Sequence, residues 1–176
     1  MAERQFMPVG IAVLTVSDTR TMADDKSGQT LVDRITAAGH RLAARVIVKD
    51  DARKIRAAAK KFIADKNVDV LISTGGTGLT GRDVTIEAMR GLFEKEIEGF
   101  GVVFHQISFA KMGTSTMQSR ATGGVAKGKY VFCLPGSPGA CRDGWDEILV
   151  KQLDYRHKPC NFIEIMPRLD EHLRRK

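Results

Sequence analysis

Cysteine is scarce in this chain and carries no pattern: Cys133, Cys141 and Cys160 are odd in number and share no C-x-x-C spacing. That argues against a disulfide framework and against a thiolate zinc site, leaving three small buried or half-buried thiols as the expectation. Histidine is no richer, since His40, His105, His157 and His172 are too scattered to read as a metal cluster. Aromatic residues make up only 6% of the chain, so stacking platforms for single-stranded nucleic acid are few. No apolar run approaches the roughly 20 residues that a membrane span requires. The opening MAERQFMPVG holds an acid and a proline and lacks the apolar stretch of a secretory signal. A cytoplasmic protein is expected, with no membrane partner.

What remains is the balance of an ordinary globular protein, 43% hydrophobic and 28% charged over 176 residues. That length fits one domain spanning 1–176. The net charge of +7 favours anionic partners. Its basic residues are dispersed, and the short clusters Lys60-Lys61 and Arg174-Arg175-Lys176 read as solvated surface, so nucleic acid is not the expected partner. A membrane surface or a phosphorylated small molecule would suit the charge equally, and charge alone does not choose among anionic partners.

Five apolar, β-branched runs alternate with helical patterns: Ile11 to Val16, Leu42 to Val48, Val68 to Ser73, Tyr130 to Leu134 and Phe162 to Met166. Between the first two, Leu31, Val32, Ile35 and Ala38 keep helical spacing, with Ser27 placed as a possible N-cap and Gly39 as a stop. Ile55, Ala58, Ala59, Phe62 and Ile63 form a clean stripe for a second helix. Ile86, Met89 and Phe93 suggest a shorter helix, and Trp145, Ile148, Leu149 and Leu153 another. Residues 96–125 mix periodicities and read as a helix followed by an irregular or β-ribbon excursion. Alternating strands and helices predict an α/β fold of βαβ units, with a mostly parallel sheet covered by helices on both faces.

In such a sheet ligands bind beyond the carboxyl ends of the strands. The candidate site residues are therefore Ser17 and Asp18 after the first strand, Asp50 and Asp51 after the second, the run from Ser73 through Gly75, Gly76, Thr77 and Gly78 after the third, and Pro135, Gly136, Ser137 and Pro138 after the fourth. Glycine lets a backbone approach a ligand closely, and N–H groups freed at a helix start cradle anions. A glycine-rich turn is also an ordinary strand-to-helix connection, and this one is neither a Walker A loop nor a G-x-G-x-x-G fingerprint. Asp50 and Asp83 on the same edge suggest Mg²⁺ held by oxygen ligands. Each has a second reading, Asp50 as the cap of the Ile55 helix and Asp83 as a helix-start residue. With no histidine well placed, phosphoryl transfer to an already ionised nucleophile suits the residues better than hydride or acyl transfer.

The run Ser73-Thr74-Gly75-Gly76-Thr77-Gly78, followed by Arg82-Asp83-Val84-Thr85 and Glu87-Ala88, resembles the composite signature of the molybdopterin-binding family. Thr15-Val16-Ser17-Asp18, Asp25-Lys26-Ser27-Gly28, Glu98-Gly99-Phe100-Gly101, Ser119-Arg120 and Leu134-Pro135-Gly136-Ser137-Pro138 extend the similarity through almost the whole chain. One departure is Ile86, where the signature usually has proline. The resemblance implies a three-layer α/β/α subunit assembled as a trimer or hexamer, and adenylylation of molybdopterin by Mg-ATP with release of pyrophosphate. It implies Asp50 and Asp83 as the catalytic, magnesium-holding acids. Nucleotide and pterin binding would fall to Gly75, Gly76, Thr77, Gly78, Ser17, Asp18, Asp25, Ser27, Ser119, Arg120 and the Pro135, Gly136, Ser137, Pro138 loop. Other molybdenum cofactor pathway proteins are further implied partners. A non-catalytic molybdopterin-binding or assembly protein of the same pathway stays open beside the enzyme.

Overall fold

A computed structural model describes residues 4–174. Its six-stranded sheet has the order β2-β1-β3-β6-β5-β4. The strands are β1 (Gly10–Val16), β2 (Arg41–Val48), β3 (Val70–Thr74), β4 (Lys95–Glu96), β5 (Thr122–Ala126) and β6 (Lys129–Leu134). β2, β1, β3 and β6 run parallel, whereas β5 is antiparallel to β6 and β4 to β5.

Because side chains alternate across a strand, β1 feeds both faces of the sheet at once. Ile11 and Val13 join a core under α1 (Lys26–Ala37), α4 (Glu98–Met112) and the helical stretch from α5 (Pro138–Asp143) through a π turn at Gly144–Leu149 to α6 (Val150–Gln152). Ala12, Leu14 and Val16 join the opposite core, under α2 (Ala52–Ala64) and α3 (Thr85–Arg90). The expected three-layer α/β/α architecture is the one observed. Four of the five expected strands are present within two residues of their expected bounds, and the Ile55 stripe is the buried face of α2.

Three expectations need correction. Phe162 to Met166 is not a strand: Phe162–Ile165 is a short helix, α7, because the Asn161 side chain accepts from the Glu164 amide at 2.9 Å and starts a helical turn. Apolar runs this short satisfy either period. The sheet position beside β6 belongs instead to β5, whose glycines hid it. Gly123 and Gly124 lie under aromatic rings, and a Cβ at Gly124 would come within 2.3 Å of Phe93. Second, α1 is capped by Asp25 and not by Ser27; the Asp25 carboxylate accepts from the Gly28 amide at 2.9 Å, two residues before the expected cap would act. Third, Cys160 is exposed, while Cys133 and Cys141 are buried as expected. The expected helix followed by an irregular or β-ribbon excursion is observed: residues 98–112 form a helix, and its mixed periodicity arises because Val102, Val103, Phe109 and Met112 are exposed while Phe100 and Phe104 are buried. The 3-10 turn Gly113–Gln118 then leads to β5. In the basic cluster at the chain's end, Arg175 and Lys176 lie outside the described residues. Among the described residues no helix is long and apolar enough to cross a membrane.

Candidate functional site

β1 lies between β2 and β3, and α1, which follows β1, packs on the opposite face of the sheet from α3, which follows β3. The loops after β1 and β3 therefore diverge, opening the crevice where open α/β sheets take their ligands. The register pairs Thr15 with Thr74 and Thr74 with Leu134, so the segments after β1, β3 and β6 emerge side by side.

The Gly75–Gly78 loop is drawn tightly into this edge. Gly75 and Gly76 have φ of +99° and +64°, and a Cβ at Gly75 would meet the Val16 carbonyl at 2.2 Å. Every carbonyl of the loop is engaged from the protein side. Gly75 O accepts from the Thr85 hydroxyl at 2.9 Å and Gly76 O from the Thr85 amide at 2.9 Å. Thr77 O accepts from Arg120 Nε at 2.9 Å, and Gly78 O from Arg120 Nη2 at 2.9 Å. Glu87 in turn pairs with Arg120. Arg120 thus reaches the loop from behind, as a buttress, and Ser119 offers its carbonyl to His105 Nε2 at 2.8 Å.

Asp50 and Asp51 are resolved by this geometry. Asp51 caps α2, accepting from the Arg53 and Lys54 amides at 2.8 and 3.0 Å. Asp50 turns towards the loop instead, and a Cβ at Gly76 would lie 2.4 Å from its Oδ1. That oxygen is buried and has no hydrogen-bond partner. Burial, with the negative charges of Asp18 and Asp83, pushes the Asp50 carboxyl above its ordinary range, against a smaller pull from Arg82. Asp83 goes the other way: although burial opposes it, bonds from the Thr80 hydroxyl and amide and from Gly78 hold its carboxyl low. Its Oδ2 accepts from Thr80 Oγ1 at 2.6 Å. Asp18 accepts from the Asp50 amide at 3.2 Å and pairs with Arg82, whose bond is the main reason its carboxyl lies low.

Other expected residues hold the edge together. Asp25 is buried, its oxygens taken by the Gly28 amide, the Thr15 hydroxyl at 2.7 Å and Arg45 at 3.1 Å. Ser27 donates to Gly136 O at 3.0 Å, Pro135 O accepts from Thr74 Oγ1 at 3.0 Å, and the Ser137 hydroxyl caps α5 ahead of Pro138. The sequence reading missed Arg20, which ties these pieces by donating to Ser27 Oγ and Gly136 O, both at 2.8 Å. Its only signal was its place two residues beyond Asp18. It also missed Thr85 and Glu87 as supports, although both lie within the signature.

Two concavities flank the edge. One, of about 450 Å³, is lined by Ser17, Asp18, Arg20, Arg45 and Lys49 beside the edge strand β2. Another, of about 150 Å³, lies between Ser119, Pro135, Ser137 and Lys111. A larger one of about 740 Å³ lies farther along the sheet, beside Glu96 of β4 and Thr122 of β5, among Val102, His105, Phe109 and Met117, and its lining has none of the aspartates described above. Among the described residues no group of three or more His, Cys, Asp or Glu is arranged to hold a metal ion unaided.

Residues 12–155 match the family described as "Probable molybdopterin binding domain". Molybdenum cofactor biosynthesis protein B of Escherichia coli is 49% identical over 158 residues, covering 90% of this chain and 93% of that protein. The protein of the same name from Bacillus cereus is 45% identical over 144 residues, covering 81% and 85%. A crystal structure of a molybdenum cofactor biosynthesis protein B superposes with a TM-score of 0.80 at 38% identity over 100% of both chains. The tungsten cofactor synthesizing protein MoaB from Pyrococcus furiosus gives 0.76 at 32%, covering 93% of this chain and 98% of that one. The chain belongs to the molybdopterin-binding family, and its role lies in molybdenum cofactor biosynthesis.

Proposed function

We propose that the chain adenylylates molybdopterin from Mg-ATP, giving adenylyl-molybdopterin and pyrophosphate. The observation that carries this reading is the buried, unpartnered Oδ1 of Asp50 beside the Gly75–Gly78 loop. An orphaned buried carboxylate oxygen is costly, and a cation supplies the missing partner. Magnesium is typically bound by one or two carboxylates, with substrate phosphates and water completing its shell. That fits an edge with Asp50 and Asp83 but no self-sufficient metal cluster. There it would neutralise phosphate charge.

The terminal phosphate of molybdopterin is ionised at neutral pH and attacks the α-phosphorus of ATP. A P–O bond forms there as the bond to the β-phosphate oxygen breaks, and pyrophosphate leaves with the electron pair. No general base is required, so the protein's part is placement and charge. With its carbonyls taken by Thr85 and Arg120, and the amides of Gly75 and Gly78 given to Leu134 O and to Asp83, the loop keeps the Gly76 and Thr77 N–H groups for phosphate. Ser17, Arg20 and Lys49 add donors and positive charge beside Asp18.

Magnesium-dependent pyrophosphate release with purified molybdopterin tests the reading. Turnover by the wild type that collapses in Asp50→Asn and Asp83→Asn supports it. Molybdopterin binding without pyrophosphate release replaces it with the non-catalytic binding or assembly protein.

We also infer a homo-oligomer, trimer or hexamer, formed through the α4 face. Val102, Phe109 and Met117 are 58%, 57% and 73% exposed around the large apolar concavity. Exposed patches of this kind mark protein contacts. Sedimentation velocity should show a multimer, and Phe109→Ser with Met117→Ser should shift it towards monomer. A wild-type monomer at working concentration would rule the inference out.

A further inference from the structure

Arg82 lies in the signature beside Asp83, and the adenylyl-transfer reading gives it no task. Its guanidinium pairs with Asp18 Oδ2 while remaining 70% exposed. The other oxygen of Asp18 accepts from the Asp50 amide at 3.2 Å, so Arg82 touches one carboxylate and stands at the mouth of the cluster that contains the other two. Asp18 and Asp83 both act on Asp50 with like charge, and Arg82 is the cation that opposes them there. Lys49 contributes from the rim, anchored on the Asp18 carbonyl at 2.8 Å.

One guanidinium does not neutralise three carboxylates, and it leaves the buried Oδ1 of Asp50 without a partner. Arginine stays charged across the working pH range, so it is a permanent occupant that only another cation can replace. An exposed ion pair is also weak, which makes it easy to break.

We propose that Arg82 is the resting counter-ion of the Asp18, Asp50 and Asp83 cluster, and that a divalent cation entering at Asp50 and Asp83 displaces it from Asp18. Arg82 is then a positioning residue that sets the affinity of the site for its metal by competing with it. The inference rests on the preceding reading of the two acids as metal-holding.

The test is binding of Mn²⁺ alone to the full chain, followed by its electron paramagnetic resonance signal with no nucleotide present. Arg82→Gln keeps a long polar side chain and removes the charge, and it should bind Mn²⁺ about two- to fivefold tighter, the fold-change matching the loss of one exposed pair. Arg82→Lys should return the affinity towards wild type. In an Asp18→Asn background, where the counter-ion has lost its anchor, Arg82→Gln should change the affinity less, which a merely structural arginine would not do. Unchanged or weaker binding in Arg82→Gln, with binding still lost in Asp50→Asn, overturns the counter-ion and leaves the metal assignment standing. Equal binding by wild type and Asp50→Asn overturns the metal assignment, and this inference with it.

Discussion

At the carboxyl ends of β1, β3 and β6 the chain is stitched by polar contacts, whereas around β4, β5 and α4 apolar packing predominates, beside the bonds of Glu96 with Arg90 and Thr122 and of His105 with Gly101 and Ser119. In the first region Arg20, Arg120, Thr85 and Asp25 each fix loop backbone or a helix end. In the second, Phe93 and Phe132 pack on strand glycines, and Phe109 and Met117 face outwards. On the reading proposed above, the first would hold atoms at fixed places against a charged ligand, and the second would fill space and meet another copy of the chain.

Placing a methyl group in each region should separate these two roles. A Cβ at Gly76 would lie 2.4 Å from Asp50 Oδ1 and from Thr85 Oγ1, at a φ of +64° that strains any other residue. Gly76→Ala should therefore displace the acid and reduce pyrophosphate release by about a hundredfold or more, the scale of a small misplacement at a reacting centre. Gly124→Ala drives a Cβ into the Phe93 ring at 2.3–2.6 Å. It should cost stability of about 1–3 kcal/mol in denaturant unfolding, with turnover per folded molecule unchanged. Equal effects on turnover would mean that the two regions are not functionally distinct.

The same contrast explains what the sequence disclosed. Strands β1, β3 and β6 were legible because parallel strands buried on both faces read as continuous apolar runs, and the half-exposed edge strand β2 was legible through its β-branched Val46, Ile47 and Val48. The Gly75–Gly78 loop was legible because backbone at positive φ pressed against the Val16 carbonyl demands glycine, and Asp83 because it follows at a fixed spacing in the family signature. Strand β5 was not, since Thr122–Ala126 holds two glycines whose purpose is to admit aromatic rings from elsewhere in the chain. α7 was misread because four apolar-rich residues fit either period until Asn161 is seen capping them. The buttressing of the loop by Arg120 depends on a contact 42 residues distant, which no local pattern records. The choice between Asp50 and Asp51 likewise needed geometry, because both follow β2 and only the fold shows which one α2 takes as its cap.

Two acids of the polar edge, buried Asp25 and half-buried Asp50, sharpen the comparison further, because stability should respond to them with opposite sign. Burial alone would raise the Asp25 carboxyl, but the Gly28 amide, Thr15 and Arg45 outweigh it and hold the group below its ordinary value near 3.8. A depressed carboxylate contributes stability that is present above that ordinary value and is lost as pH falls through the folded one. Asp25→Asn retains a capping side chain but leaves Arg45, 11% exposed, without its carboxylate, and should cost about 2 kcal/mol near neutral pH. Asp50 is raised above 3.8, by burial first and then by Asp18 and Asp83. Its contribution is fully present below the unfolded value and is lost as pH rises through the folded one, so at neutral pH the ionised group opposes folding. Asp50→Asn should therefore stabilise the metal-free chain near neutral pH, by less than about 1 kcal/mol, while abolishing pyrophosphate release. Denaturant unfolding of both variants, near neutral pH and again below pH 3.8, reads the signs directly. Both differences from wild type should shrink in the acid range. A destabilised Asp50→Asn at neutral pH would show that Asp50 is satisfied within the fold, and would remove the orphaned oxygen on which the metal assignment stands.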